Sequence, residues 1–190
     1  MIKRFAAFLT AAAVMLTGCS IMNKDDSDCS KQIISYDGNY MIETPADWSP
    51  PKTKYSMNSN ASIEAYCAGR EICFCAIADP NVYDDVLPFD NYCVLGLRMI
   101  SDEFNLTLSP DDLEDTFINS NKAKCIEIPN IEKEGDDIDV ALYLFYYVIK
   151  TNDYVVQMMV WTPQDKIEEN RAEITAVINT FSKSGSTDKK

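Results

Sequence analysis

The chain has 190 residues, 46% of them hydrophobic and 25% charged, a composition that fills one ordinary core and rules out a chain disordered throughout. Thirty acidic against seventeen basic residues give a formal charge of −13 at pH 7, which argues against a nucleic-acid ligand and against docking on an anionic bilayer surface. There is no histidine, and with it go Ser-His-Asp and Cys-His catalysis, histidine-ligated zinc hydrolysis and any imidazole base working near neutrality.

Lys3 and Arg4 precede an uncharged run from Phe5 to Leu16, and Thr17 and Gly18 lead into Cys19. A basic start, a short apolar stretch and small residues at the cut site make a secretory signal over residues 1–18. The run is too short for a transmembrane helix, which needs about 20 apolar residues. Leu16-Thr17-Gly18-Cys19 resembles the bacterial lipobox, whose cysteine takes a diacylglyceryl group and becomes the mature N-terminus. The resemblance implies lipid attachment at Cys19. Two acyl chains hold a protein stably on a bilayer where one holds it marginally, so the expected location is the outer face of the cell membrane. Cleavage removes Lys3 and Arg4 but no acid, and the formal charge goes from −13 to −15.

Residues 20–31 are polar, carry three aspartates and show no hydrophobic period, so residues 19–31 read as a lipidated tether. One domain is expected over residues 32–183, followed by a frayed tail over 184–190. Residues 32–36 and 40–43 form a hairpin around Asp37-Gly38-Asn39, stopped by Pro45, Pro50 and Pro51. Residues 61–67 and 72–79 form a second hairpin over residues 68–71. Phe89, Cys93, Gly96, Leu97, Ile100 and Phe104 recur at spacings of three and four, which predicts a helix over 87–104. Ser109-Pro110-Asp111-Asp112 has the serine cap and early proline of a helix start, yet residues 113–118 suit a strand; a turn of helix leading into an edge strand reconciles them.

Residues 123–128 make another strand, ended by Pro129-Asn130. Residues 140–150 are apolar or aromatic without alternation, the pattern of a strand covered on both faces, and pair with residues 154–161 across Thr151-Asn152-Asp153. A last helix opens at Thr162-Pro163-Gln164-Asp165, with the threonine as cap, and carries Ile167, Ile174, Val177, Ile178 and Phe181 along one side. Two helices and a mostly antiparallel sheet with a doubly buried centre define an α+β architecture.

Three segments then carry a family resemblance: Tyr40-Met41-Ile42-Glu43-Thr44-Pro45-Ala46-Asp47-Trp48, Asn152-Asp153-Tyr154-Val155-Val156-Gln157, and Val177-Ile178-Asn179-Thr180-Phe181. In this order, bracketing residues 40–181, they resemble the PsbP-like family, whose fold is shared with nuclear Ran-binding proteins. The resemblance implies a central sheet of about six strands sandwiched between helices, roles in binding and assembly, no cofactor and no catalytic residues. Metal sites described in the family use histidine, so none is carried over to this chain.

Six cysteines remain besides Cys19, an even count that permits disulfides in an exported protein. Cys67 and Cys73 flank the second turn and face each other only if its loop holds five residues; a loop of two or four sets them on opposite sides and forbids a bridge. Cys73 and Cys75 share a strand face, and a trio with Cys67 is the zinc reading, although Cys-x-Cys departs from the usual knuckle spacing. Cys93 and Cys125 read as small buried hydrophobes.

The acidity is uneven: residues 101–139 hold twelve acids against Lys122, Lys124 and Lys133. One cluster is Asp111, Asp112, Glu114 and Asp115, and a second includes Asp136, Asp137 and Asp139. Clustered carboxylates suit a hard cation or a cationic partner, and equally a solvated loop; the second cluster does not follow the calcium-loop spacing. Trp48, beside prolines, either lines a groove or plugs the end of the sandwich. The expected function is a membrane-anchored, extracytoplasmic, non-catalytic binding or assembly module, held to the bilayer through Cys19 and meeting an extracytoplasmic protein. The alternative is a small-ligand or cation-binding lipoprotein accessory to uptake.

Overall fold

The structure, a computed structural model, describes residues 30–51, 58, 60–81, 87–132 and 140–185. Cys19, Cys29, most of the tether and the second acidic cluster lie outside the described residues.

The first hairpin pairs β1 (Ser30–Ile34) with β2 (Tyr40–Pro45), Ile34 opposite Met41. The turn closes with Ser35 N donating to Tyr40 O at 2.8 Å, and Gly38 takes a φ of 75° that a residue with a Cβ adopts only with strain. This hairpin stays out of the main sheet and forms its own three-stranded sheet. Its third member, a short strand at Ser182–Lys183, pairs with Met41 and Tyr40. Chain expected at the very end of the domain is thus a sheet member, drawn in by the burial of Phe181 immediately before it.

The main sheet holds six antiparallel strands: β3 (Ile63–Cys67), β4 (Ile72–Pro80), β5 (Glu114–Ile118), β6 (Asn121–Ile131), β7 (Leu142–Lys150) and β8 (Tyr154–Pro163). Their order is β3-β4-β8-β7-β6-β5, so the unalternating β7 and its partner β8 occupy the centre. Pro129 does not end β6. The strand passes through it with a bulge between Ile128 and Ile131, and Asn130 takes a φ of 54°, the local accommodation of a residue that cannot donate to the ladder.

Alternation along the strands feeds two cores. On one face Cys75, Ile77, Ile126, Tyr146, Val148 and Met159 pack under α1 (Phe89–Glu103), whose buried side is Phe89, Cys93, Gly96, Leu97 and Ile100. On the other, Phe74, Phe145, Ile149, Val156 and Met158 pack under the small sheet and α2 (Ile167–Asn179), which buries Ile167, Ile174, Val177 and Ile178. Trp48 lies fully buried in this second core and plugs it.

Thr162 does not cap the last helix. β8 continues to Pro163 and a 3-10 turn over Gln164–Lys166 precedes α2, while the fully buried Thr162 hydroxyl accepts from Asn170 Nδ2 at 2.7 Å. A buried hydroxyl takes the partner that the core offers, and here that partner is an inward-facing asparagine one turn into the helix.

Candidate binding surface

The first acidic cluster falls on one edge of the main sheet. A 3-10 turn over Pro110–Asp112 opens with a capping box: Ser109 Oγ accepts from Asp111 N at 3.3 Å, and Asp112 Oδ2 accepts from Ser109 N at 2.7 Å. The turn delivers the chain into β5, at the end of the strand order. Asp115 pairs with Lys124 at 2.9 Å, and that hydrogen-bonded ammonium holds its carboxyl below the usual carboxylate range. Asp111 and Glu114 are exposed, and their carboxylates have no partner among the described residues.

The structure therefore brings Asp111, Asp112, Glu114 and Asp115 together along one edge without aiming them at one point. Asp112 is committed to the cap, and Glu114 and Asp115 face opposite sides of the sheet as strand neighbours must. Among the described residues no group of three or more carboxylates and thiols is placed to hold a metal ion. Asp136, Asp137 and Asp139 lie outside the described residues.

β5 has a second property. Asn119 and Ser120, with φ of 45° and 65°, form the two-residue turn to β6, which makes Ile118 and Asn121 a hydrogen-bonded pair. Alternation then turns the backbone N–H and C=O of Asp115 and Phe117 away from β6. No backbone partner meets them among the described residues. The opposite edge is covered: Ser49 and Tyr66 exchange two backbone bonds of 2.9 Å, and Tyr36 N reaches Ser62 O at 2.9 Å. Phe117 is 68% exposed, an unusual degree for a phenylalanine inside a strand.

A cleft of about 450 Å³ opens where the turns of the two sheets meet, lined among others by Asn39, Asn81, Asn152, Asp153, Tyr154 and Lys183. Its polar groups are largely satisfied by one another. Lys183 Nζ meets Asp153 at 2.8 Å, Asn39 Nδ2 donates to Tyr154 Oη at 3.0 Å, and Asn81 Nδ2 donates to Thr151 O at 3.3 Å.

A polar chain that no residue spacing announces runs through the first core. Tyr146 Oη donates to Gln157 Oε1 (2.9 Å), Gln157 Nε2 to Tyr92 Oη (2.8 Å), and Tyr92 Oη to Asp79 Oδ2 (2.5 Å). Burial, and for Tyr92 the Asp79 carboxylate as well, pushes both tyrosine hydroxyls well above their ordinary range, so the chain is a fixed set of donors and acceptors at neutral pH. A second network ties Trp48 Nε1 to Glu173 Oε1 at 2.6 Å, Glu173 to Arg70, and Arg70 to Asp47 at 2.6 Å.

Cys67 and Cys73 do not bridge. The turn between β3 and β4 holds four residues, with Cys67 opposite Ile72 and Cys73 opposite Tyr66, so the two thiols enter different cores. For the same reason Cys67 cannot join Cys73 and Cys75 in a zinc site. Burial raises all five described thiols, Cys73 and Cys93 to about 12 and Cys125 to about 11. Burial thus favours the thiol over the thiolate, the nucleophilic form, at each of them.

No protein-family model matches the chain, and no curated protein sequence does. Solved structures do match. Cyanobacterial PsbP from Synechocystis superposes with a TM-score of 0.54 at 10% identity, over 88% of this chain and 98% of that one. LpqN of Mycobacterium tuberculosis, described as involved in cell envelope biogenesis, gives 0.51 at 10% identity, over 82% and 91%. A protein from Bacteroides thetaiotaomicron gives 0.52 at 13% identity over 84% of this chain but 50% of that one, so this chain spans half its length. At these identities the likeness is one of fold, and the fold is PsbP-like.

Proposed function

We propose that the protein is a lipid-anchored, extracytoplasmic, non-catalytic module that binds or assembles with another protein. The observation that carries the reading is the acidic outer edge of β5, with two backbone positions unpartnered among the described residues and an exposed phenylalanine, beside an opposite edge that the fold covers. Left open, a strand edge is a place for another chain to pair. Support for the anchor comes from Leu16-Thr17-Gly18-Cys19 and the polar tether. LpqN lends support from outside the chain, as a protein involved in cell envelope biogenesis with a similar fold. Against catalysis stand the missing histidine and the burial that raises the thiols. The cleft lined by Asp153 and Lys183 is the seat that the alternative, a small-ligand lipoprotein, would use.

The anchor is tested by exporting the mature chain, with Cys19→Ala, behind an ordinary cleavable leader and comparing it with the natural form. The soluble-to-membrane ratio is expected to rise about a hundred-fold when the acyl chains are lost. A natural form whose intact mass shows an unmodified Cys19 would remove the anchor from the account.

A further inference from the structure

We propose that the outer edge of β5 takes up an extended lysine- or arginine-rich segment of a partner protein as a seventh strand of the main sheet. The inference rests on the binding-module reading and names its mode and the chemistry of its partner. Strand addition draws its affinity from main-chain hydrogen bonds and its selectivity from alternate side chains. β5 offers both. The N–H and C=O of Asp115 and Phe117 point outward, and these two residues also share the α1 side of the sheet, where Phe117 stands 68% exposed.

Charge decides which chain fits. Asp111, Glu114 and Asp115 lie along the edge. The lysines behind them are already engaged, Lys124 with Asp115 at 2.9 Å and Lys122 with Asp90 at 3.7 Å and over the Phe89 ring at 5.3 Å. A second copy of this chain is a poor occupant: antiparallel pairing of two β5 edges about Thr116 sets each Asp115 opposite a Phe117 and each Glu114 opposite an Ile118, and so brings two acidic edges together without supplying either with a cation. A basic segment sets its charged residues against Glu114 on one face, and its intervening apolar residues cover Phe117 on the other.

The probe is a short fluorescein-labelled peptide alternating lysine with valine, set against its glutamate counterpart, in anisotropy titrations with the full mature chain. The lysine peptide is expected to bind at least about ten-fold more tightly, and Asp111→Lys with Glu114→Lys to erase that preference. Phe117→Pro removes an outward N–H that the sheet does not use, so it should abolish binding while leaving the melting temperature nearly unchanged. Should that variant fail to fold, hydrogen exchange on the unaltered protein gives the same answer, with the Asp115 and Phe117 amides protected by the peptide. Equal affinity for the two peptides, undiminished binding by folded Phe117→Pro, or no protection of those amides would overturn the proposal. So would a dimer that Phe117→Pro dissociates. A partner still captured from membranes by Phe117→Pro would leave the binding module standing and remove only the edge.

Discussion

Gly96→Ala is expected to destabilise the domain by about 2–4 kcal/mol, although alanine in mid-helix normally stabilises by about 1 kcal/mol relative to glycine. The sign reverses because a Cβ built at position 96 overlaps Tyr146 Oη and stands 3.2 Å from Gln157 Oε1. Tyr146 is fully buried on the central strand and cannot withdraw, so either α1 lifts from the sheet or the polar chain through Gln157 and Tyr92 breaks. An unsatisfied buried donor or acceptor costs about 1–3 kcal/mol. Thermal melting should fall by roughly 5–15 °C. Adding Tyr146→Phe removes the clashing oxygen, and the double variant is expected to be more stable than the sum of the two single losses. Strict additivity would mean that the glycine serves something other than the tyrosine hydroxyl.

Trp48→Ala should cost about 3–5 kcal/mol, the range for removing a large aromatic from a packed core. Trp48 is fully buried between the main sheet, the small sheet and α2, and its indole N–H donates to Glu173 Oε1 at 2.6 Å. The substitution opens a cavity and takes one partner from a carboxylate that Arg70 alone then holds. Trp48→Phe separates the two effects. It keeps most of the volume, loses the donor and should cost about 1–2 kcal/mol. Denaturant unfolding of the two variants checks both figures, and a Trp48→Ala loss below that of Trp48→Phe would contradict the plug.

Elements whose side chains repeat with one period were legible from the residues alone. The buried stripe of α1, the twin central strands and the Asp-Gly turn of the first hairpin all follow from local spacing, and the structure has them. Features decided by distant chain were not. Thr162 looked like a cap until Asn170 supplied its hydroxyl with a partner, and Pro129 looked like a stop until the bulge beside it showed how β6 accommodates it. The small sheet depends on residues 40–41 meeting residues 182–183, a contact no window of sequence contains.

For the candidate surface the same division holds. The run from Asp111 to Asp115 is plain in the sequence, and so was the possibility of an edge strand. What the sequence lacked was the register, which alone tells that Asp115 and Phe117 turn their backbone outward and that Glu114 and Asp115 diverge instead of converging. Cys67 and Cys73 teach the same lesson from the other side, since the count of residues in one turn decided whether a bridge was geometrically open.

Photo-crosslinking on native membranes tests the binding-module account most directly, with a benzophenone side chain placed at position 117 and, as control, at the exposed Glu169 on α2. The account predicts one stoichiometric protein adduct from position 117, absent from position 169, with the crosslinked peptide rich in lysine or arginine. No protein adduct from position 117, together with a small molecule that raises the melting temperature, would contradict it and move the function to the cleft beside Asp153 and Lys183.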